Sequence, residues 1–470
     1  MAITVEADFV IVGAGYAGLT AAWRLTNATP PASVVVLEAR PRVGGRVWSK
    51  LLPDGTWLDL GGTWFGPGQD YSYKLAAEMG VGTYPTYTKG DALLVLPTGK
   101  PIRNPLDFPC ADLFPAGAAA LLLDELESMA KQVPLDAPWE SERAREWDRQ
   151  TFAAWVESQT PDSSLALAGT ALNTIMMGLF CIDTSELSLL DALYLIHSHH
   201  GIVRLMSVQG GDQQDRVVGG AQEIANRIKD KLGDAVRLGE AVRRIEQDSG
   251  GVTVTASTVA VRAKRAVVTI PPAVAGYVEY EPPLPADRVQ LQQRAPVGSV
   301  LKVVTMYDKP FWRSDGLSGQ SFAAVHPVGA TFDGCTDRDT PGVLISFVFG
   351  PNARAFGRMS RDERKQTIVE ALVQRFGPAA AELKAFADLD GYEEIEWADQ
   401  VWSRGGIFAH LPTGVWTGFG EQLRKPAGLI HWAGTETSSA FHGSINGAIE
   451  SGERAAREVL DSVRGTSVSK

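Results

Sequence analysis

A glycine-rich turn close to the N-terminus constrains the fold of this chain more than any other part of its sequence. Residues 9–12 form a short apolar run, FVIV, which leads directly into GAGYAG at 13–18, and a helix-forming run continues to Leu25. A short run rich in β-branched residues predicts a buried parallel strand. GxGxxG between a strand and a helix is the fingerprint of a dinucleotide-binding turn. The sequence therefore predicts a βαβ unit of the Rossmann type.

The three glycines of this turn have separate physical roles. Gly13 permits the tight turn, Gly15 lets a pyrophosphate approach the backbone, and Gly18 lets the helix pack closely on the strand. The helix N-terminus adds free N–H groups and the positive end of the helix dipole. A second strand, VVVL at 34–37, ends at Glu38, about 20 residues after Gly18, where an acid binds the ribose hydroxyls of a dinucleotide.

Composition and charge exclude several classes of protein. The chain has 470 residues and a net charge of −11, without the basic stripe that nucleic-acid binding requires. No apolar run approaches the roughly 20 residues of a membrane helix, so no membrane anchor is expected. The three cysteines lie far apart, and the N-terminus lacks the basic segment of a secretory signal. These features predict a cytoplasmic globular protein that binds no nucleic acid.

Further glycine-rich motifs follow in a fixed order. GGR at 44–46 and GGTWFGP at 61–67 suit other close approaches of the backbone to a pyrophosphate, with Arg46 as a charge-assisted donor. Near the C-terminus, IHWAGTET at 430–437 is typical of a strand that ends in a second cofactor contact. GSINGAIESG at 443–452 then opens a helix.

Together with EAR at 38–40, this series resembles the N-terminal and C-terminal signatures of the flavin amine oxidases, the monoamine oxidase family. The resemblance spans nearly the whole chain and implies FAD as the cofactor. The residues that it assigns to FAD are Gly13, Ala14, Gly15, Gly18, Glu38, Ala39, Arg40, Gly44, Gly45, Arg46, Gly61, Gly62, Thr63, Trp64, Val242, Trp397, Gly434, Glu436, Gly443, Ser444 and Ile445.

The resemblance also implies an α/β architecture with two interleaved domains. A discontinuous, Rossmann-like FAD-binding domain is expected from residues 1–80, 212–295 and 395–470. An α+β substrate-binding domain is expected from the segments between them, 81–211 and 296–394.

Lys302 is the candidate catalytic residue. It lies in a predicted strand over 298–307, in which both faces are apolar, so its burial is costly unless the ammonium group has a function. The family places a lysine in this context beside flavin N5, where it holds a water molecule. The alternative is an edge-strand lysine whose stem covers apolar surface while its head reaches solvent.

The residues that match the family's substrate cavity depart from the usual pattern. Phe408 and Ser444 match two positions that are often tyrosines and form an aromatic cage in front of the flavin. Phe408 keeps an aromatic face but Ser444 does not, so the resemblance implies half a cage, with Phe441 or His442 as candidates to fill the gap.

Three further positions refine this interpretation. Gln213 matches a glutamine that faces the substrate, and Met206 matches an apolar gating position; the alternatives are a surface loop for Gln213 and plain core for Met206. Ile407 matches a cysteine that bonds covalently to the flavin in the membrane-bound mammalian members. Isoleucine cannot form that bond, so noncovalent FAD is expected.

A histidine cluster, HSHH at 197–200, raises the question of a metal site. A helical pattern over 164–197 precedes it, and no carboxylate or cysteine completes a convincing set of ligands. The cluster is interpreted as a helix end, and no metal is expected.

The reaction that the resemblance implies is the oxidation of a primary or secondary amine to an imine, by hydride transfer to flavin N5. Water hydrolyses the imine to an aldehyde or ketone, and O2 reoxidises the flavin to give H2O2. The expected partners are thus a small-molecule amine and O2. Dimers are common in the family, which leaves a homodimer open.

Other functions remain open from the sequence. An L-amino acid oxidase generally clamps the substrate carboxylate with an arginine just after the GG turn, and GGTWFGP at 61–67 contains none. A polyamine oxidase and an amine dehydrogenase with a protein electron acceptor belong to the same superfamily. A noncatalytic flavoprotein is the alternative from a different class; Lys302 and the large predicted cavity domain argue against it.

Overall fold

The computed structural model describes residues 3–95, 98–105, 118–161, 165–323, 326–386 and 389–467. In this part of the chain the strands, numbered β1 to β22 in chain order, are Ile3–Glu6, Phe9–Val12, Val34–Glu38, Ser49–Leu51, Trp57–Asp59, Trp64–Phe65, Thr83–Pro85, Asp91–Val95, Pro101–Asn104, Asp215–Val217, Val236–Leu238, Arg244–Asp248, Gly251–Thr255, Val259–Ala263, Arg265–Val268, Glu279–Glu281, Val300–Tyr307, Leu317–Ala323, Ala330–Asp333, Gly342–Phe349, Tyr392–Glu396 and Ile430–Trp432.

The α-helices of the same described residues, numbered α1 to α16 in chain order, are Tyr16–Thr26, Asp70–Glu78, Ala118–Ala130, Ala144–Trp147, Phe152–Gln159, Ala166–Phe180, Leu189–Ser198, Ile202–Met206, Gln222–Leu232, Pro272–Ala275, Ala286–Arg294, Phe311–Ser314, Pro351–Phe356, Arg361–Phe376, Val415–Phe419 and Ile445–Ser467.

A parallel five-stranded sheet, in the order β11-β3-β2-β15-β22, forms the centre of the nucleotide-binding fold. Its central strands are buried along their full length, which explains why β2 and β3 are continuous apolar runs rather than alternating ones. Helices α1, α9 and α16 cover one face, and the sheet β1-β14-β13-β12-β16 covers the other. The predicted parallel α/β fold is confirmed.

Three distant stretches of the chain supply this sheet: β2 and β3 come from the N-terminus, β11 and β15 from the middle, and β22 from the C-terminus. We propose on this basis that the nucleotide-binding domain is discontinuous, with the five-segment division given above. The strand membership of the sheets supports the division in outline, because β8, β9 and β17 to β21 join a separate sheet; β7 departs from it by pairing with β10, and β21 extends to residue 396.

That second sheet is mixed and seven-stranded, in the order β21-β17-β20-β19-β18-β8-β9. Strand β17 lies in its interior, antiparallel to β20 on one side and to β21 on the other. Lys302 is paired with Phe347 and Ile395 in this register. The alternative of an edge-strand position for Lys302 is therefore wrong. The residue is buried, with 2% of its surface exposed.

The helical pattern over 164–197 forms two helices rather than one. Helix α6 ends at Phe180 because the next residue, Cys181, adopts a left-handed backbone with φ of 57°. Helix α7 begins after Ser188, whose side chain accepts a hydrogen bond from the Leu190 N–H. Its last residue is Ser198, as expected for a helix that ends at the histidine cluster.

Gly18 offers a test of the close packing between α1 and the glycine turn. A Cβ atom at Gly18 would lie 2.0 Å from the Gly13 carbonyl oxygen, so Gly18→Ala forces the turn and the helix apart. We expect it to lower the free energy of unfolding by about 1–3 kcal/mol, although alanine is the better helix former. Chemical denaturation of the FAD-loaded protein measures the change.

The matched control is Gly418→Ala in α15, where a Cβ atom would meet nothing within 4 Å. That substitution should leave stability unchanged or slightly raised. Equal stability of the two variants would contradict the role given to Gly18.

Candidate functional site

One continuous cavity, with a volume of about 570 Å³, runs from the glycine turn to Lys302. Its lining comes from the ends of β2, β3 and β15, from the segments around residues 44–47 and 61–64, and from the start of α16. Most residues that the sequence assigned to FAD lie in this lining. They are Gly13, Gly15, Glu38, Ala39, Arg40, Gly44, Gly45, Arg46, Gly61, Gly62, Thr63, Trp64, Val242, Trp397, Gly434, Gly443, Ser444 and Ile445.

The glycine turn fits a pyrophosphate. Gly15 lines the cavity, and a Cβ atom added to it would have one neighbour within 4 Å, the Gly45 Cα atom at 4.0 Å. Gly15 is also the N-cap of α1 and supplies no side-chain cap to the first N–H groups of the helix. Phosphate oxygens are the ligands that such N–H groups and the positive helix end prefer.

Glu38 is anchored in the position that a ribose-binding acid requires. Its two carboxylate oxygens accept hydrogen bonds from the backbone N–H groups of Ala14 and Arg40, each at 2.8 Å. Each oxygen keeps a second lone pair, and Glu38 lines the cavity. Ala14 itself lies outside the lining and serves the site through this hydrogen bond.

Arg46, which lines the cavity and is partly buried, forms an ion pair with the buried Glu436. Two guanidinium nitrogens of Arg46 lie 2.6 and 3.0 Å from the two Glu436 oxygens, and one of them also donates to the Ile407 carbonyl at 3.0 Å. Burial would raise the pKa of Glu436, but the Arg46 charge and hydrogen bonds hold it below the ordinary value. Glu436 therefore does not line the cavity; it orients Arg46, which does.

The residues present thus fit FAD. The glycine turn and α1 would hold the pyrophosphate, Glu38 the ribose, and Arg46 would supply a fixed positive charge. Sequence reasoning missed Tyr277, Trp402 and Arg404, which line the same end as Val242. Arg404 stacks over the Tyr277 ring at 4.1 Å, and both aromatic rings are partly exposed, 67% for Tyr277 and 39% for Trp402.

Lys302 marks the other end of the cavity. Its Nζ donates to the Gly61 carbonyl at 2.8 Å and to Thr63 Oγ1 at 2.6 Å, and it lies 5.3 Å from the centre of the Trp64 ring. Burial lowers the pKa of Lys302 to about 7, against the opposing charge of Asp59. Both protonation states are therefore accessible near neutral pH.

The aromatic wall at this end consists of Phe408 and His442. Their ring centres are 5.3 Å apart at 80°, an edge-to-face contact that leaves no space for a substrate between the two rings. Burial lowers the pKa of His442 to about 4, so its ring is neutral at pH 7. Phe441 is absent from the described lining, so His442 is the residue that stands beside Phe408.

Ser444 has a structural reason not to be aromatic. Its hydroxyl donates to the Phe441 carbonyl at 2.6 Å and accepts from the Gly447 N–H at 3.1 Å, which makes it the N-cap of α16. The O–H donor and one acceptor lone pair of the hydroxyl are used within the protein. Ser444 thus presents a small, satisfied side chain to the cavity.

Gln213 and Met206 have different positions. Gln213 lines the cavity; its amide nitrogen donates to the Leu205 carbonyl at 3.0 Å, and its buried amide oxygen has no hydrogen-bond partner. Met206 does not line the cavity and packs against the helical core instead. Consecutive residues of a helix face different directions, and in α8 it is Leu205 that reaches the cavity.

His199, Asp212 and Gln69 are polar lining residues that the sequence did not indicate. His199 Nδ1 lies 2.5 Å from an Asp212 carboxylate oxygen, although 13 residues separate them in the chain. Among the described residues no group of three or more His, Cys, Asp or Glu side chains is arranged to hold a metal ion. No helix in the described ranges is both long and apolar enough to cross a membrane.

Comparison with known proteins places this site in a family. The family model of the flavin-containing amine oxidoreductases matches residues 16–460. AofH of Mycobacterium tuberculosis (strain CDC 1551 / Oshkosh), a candidate flavin-containing monoamine oxidase, is 37% identical over 453 residues, 96% of each chain. L-amino acid dehydrogenase of Synechocystis is 33% identical over 98% of this chain and 96% of the relative.

The fold agrees with this assignment. The structure of a putrescine oxidase bound to putrescine superposes with a TM-score of 0.90 at 32% identity, over 97% of this chain and 100% of that one. The predicted family, fold and cofactor are confirmed. The chain belongs to the flavin-containing amine oxidoreductases and is an FAD-dependent amine oxidase.

Proposed function

We propose that this enzyme oxidises a small primary or secondary monoamine to an imine, which water hydrolyses to an aldehyde or ketone, with O2 as the electron acceptor and H2O2 as the second product. The observation that carries the proposal is the continuity of the nucleotide groove with an apolar cavity that ends at the buried amine of Lys302. FAD, when bound, accepts the hydride that leaves the amine's α-carbon and passes two electrons to oxygen.

The cavity walls favour the neutral form of the substrate. An alkylamine has a pKa of about 10.4, so removal of its proton at pH 7 costs about 4–5 kcal/mol. Leu179, Leu205, Phe347 and Phe408 surround the substrate end with apolar surface. Desolvation by such walls lowers the pKa of a bound amine, so the amine passes its proton to bulk water and binds in the neutral form, and no residue is assigned as a catalytic base for this step.

We further propose that Lys302 exchanges a proton or holds a water molecule beside the flavin. A neutral lysine amine has two N–H donors, and the Gly61 carbonyl and Thr63 hydroxyl accept two hydrogen bonds from it. The lone pair then remains to accept a hydrogen bond from water. In the charged form the third N–H donates instead.

The flavin is proposed to be held without a covalent bond to the protein. Ile407, which lines the cavity, has no nucleophilic atom. Of the cysteines that the structure describes, Cys181 and Cys335 are buried outside the cavity lining, and burial raises the pKa of Cys181 to about 12. Cys110 lies outside the described residues.

A second function, oxidation of L-amino acids, is favoured by the similarity to the Synechocystis dehydrogenase. Its chemistry needs a cation for the substrate carboxylate. The arginines in the lining, Arg40, Arg46, Arg243 and Arg404, adjoin the nucleotide segments, and Arg46 is committed to Glu436. This arrangement favours simple amines.

The proposed function predicts that amines bleach the yellow enzyme in the absence of oxygen. The FAD-loaded protein is mixed anaerobically with a panel of primary and secondary monoamines, diamines and L-amino acids, and absorbance of the oxidised flavin is followed. Monoamines should give the fastest bleaching, and admission of O2 should restore the colour with one H2O2 per amine oxidised.

Three outcomes would contradict parts of this account. Fastest bleaching by L-amino acids would support the second function, bleaching without reoxidation by O2 would indicate a dehydrogenase, and no bleaching by any compound would favour a noncatalytic flavoprotein.

Lys302→Met should slow flavin reduction or reoxidation about a hundredfold while FAD remains bound, because methionine keeps the apolar volume but can neither hold a water molecule nor exchange a proton. Stopped-flow absorbance separates the two half-reactions. Lys309→Met, on the exposed segment just after β17, is the control and should behave as wild type. Wild-type rates in both half-reactions of Lys302→Met would contradict the role.

The pH dependence of the free energy of unfolding tests the burial of Lys302 independently, with the same Lys302→Met variant. The folded pKa of Lys302 is about 7, against an ordinary value of 10.5, so between these pH values the unfolded chain binds one proton that the folded chain does not. Wild type should therefore gain stability relative to Lys302→Met as pH rises from 7 toward 10. A constant difference across this range would show that the amine is not desolvated.

A further inference from the structure

The loop that precedes the last helix is fastened to the end of α7. The Tyr194 hydroxyl donates to the Ser438 carbonyl at 2.6 Å, and the Phe441 N–H donates to the Ser198 carbonyl at 3.0 Å. His199 Nε2 lies 2.7 Å from the His442 carbonyl oxygen. This loop, residues 438–444, carries the His442 ring that packs against Phe408 at the substrate end.

His199 lies between two groups that can only accept hydrogen bonds. Its Nδ1 faces the Asp212 carboxylate at 2.5 Å, and its Nε2 faces the His442 carbonyl at 2.7 Å. A neutral imidazole has one N–H and one acceptor nitrogen, so it can satisfy one of these contacts and would set a lone pair against the other. While Asp212 is ionised, both contacts are hydrogen bonds only when both ring nitrogens of His199 carry a proton.

The surroundings of Asp212 support the charged form of the pair. One carboxylate oxygen accepts from Gln69 Nε2 at 3.2 Å and from Arg204 Nε at 3.3 Å, while the other faces His199. Burial would raise the pKa of Asp212, but hydrogen bonding to His199 and the Arg204 charge hold it below the ordinary value.

The other titratable neighbours do not supply a competing proton donor. Burial lowers the pKa of His200, next in the chain, and the Arg204 charge lowers it further. Burial lowers the pKa of His442 to about 4, so its ring contributes no charge at pH 7. Arg204 pairs with one Asp212 oxygen, and His199 is the residue that faces the other oxygen; His199 and Asp212 both line the cavity wall.

We propose that His199 is a doubly protonated imidazolium that bridges the Asp212 carboxylate and the His442 carbonyl. This bridge fixes the 438–444 loop, and the loop in turn fixes the wall of Phe408 and His442. The carbon skeleton of the substrate binds against this wall. His199 and Asp212 are positioning residues: they act through the loop and not on the reacting atoms. The substrate-binding part of this inference rests on the proposed amine oxidation, whereas the protonation state does not.

Neutron diffraction tests the protonation state on wild-type protein. Crystals of the FAD-loaded enzyme are exchanged into D2O near neutral pH. Deuterons on both ring nitrogens of His199, and none on Asp212, are expected. A single ring deuteron, or a deuteron on the Asp212 carboxylate, would overturn the bridge whatever reaction the enzyme catalyses.

Substitution tests the effect on substrate binding. Asp212→Leu keeps a similar side-chain size but offers no hydrogen-bonding group, so His199 Nδ1 loses its partner and the bridge between residue 212 and the His442 carbonyl is broken. We expect the apparent Kd of the best amine of the panel, measured by anaerobic flavin reduction, to rise about tenfold, equivalent to about 1.4 kcal/mol. The limiting rate of reduction should stay within about threefold of wild type.

His199→Gln should give the same split between Kd and limiting rate. The control is His197→Gln at the same helix end; His197 bonds to the Val133 carbonyl at 2.8 Å, lies outside the lining and should leave both constants unchanged. Unchanged Kd in both test variants, or equal losses in Kd, rate and FAD content, would overturn the positioning role. If neither variant folds, the neutron map decides; if wild type oxidises no amine, the proposed function fails and the map still tests the bridge.

Discussion

The burial of the Lys302 amine is the constraint on which the rest of the site depends. An ammonium group taken out of water is costly, and here the cost is limited by two hydrogen bonds to the segment between β5 and β6 and by a pKa near 7 that allows the neutral form. Those bonds cross from the seven-stranded sheet to the glycine segment of the nucleotide fold. Trp397 makes a parallel link, since its ring N–H donates to the Leu60 carbonyl. The seven-stranded sheet is thereby tied to the segment 60–63 at the point where flavin and substrate would meet.

The polar groups that line the cavity are held by partners within the protein. Glu436 orients Arg46, the Ala14 N–H orients Glu38, and Asp212 orients His199. Such pairing leaves the substrate end largely apolar, which suits the binding of a neutral amine. A fixed cavity wall follows from the same arrangement, because the loop before α16 is held by α7 rather than by the ligand.

The nucleotide fold was predictable from the sequence because its signals are local. Strand, glycine turn, helix and Glu38 follow each other within 30 residues, and each residue type has one physical reason to be there. The importance of Lys302 was also predictable, since a lysine within an apolar strand is costly to bury unless its ammonium group has a function.

The His199–Asp212 contact was not predictable from the sequence, because it depends on how α7 and the loop around residue 212 pack together. The structural role of Ser444 was not predicted either: the segment 443–452 was expected to open a helix, but its second residue was assigned to the cavity and not to the N-cap. The prediction that Met206 lines the cavity depended on the exact position within α8. Neighbouring residues of a helix point in different directions, and Leu205 lines the cavity instead.

A crystal structure of the FAD-loaded enzyme tests the central claim most directly. The account predicts a dinucleotide that runs from the Gly13–Gly15 turn to Lys302, with its ribose at Glu38, its flavin ring beside Lys302 Nζ, and no density joining the flavin to Ile407 or to any other residue. A flavin ring distant from Lys302, or a covalent bond to the protein, would contradict it.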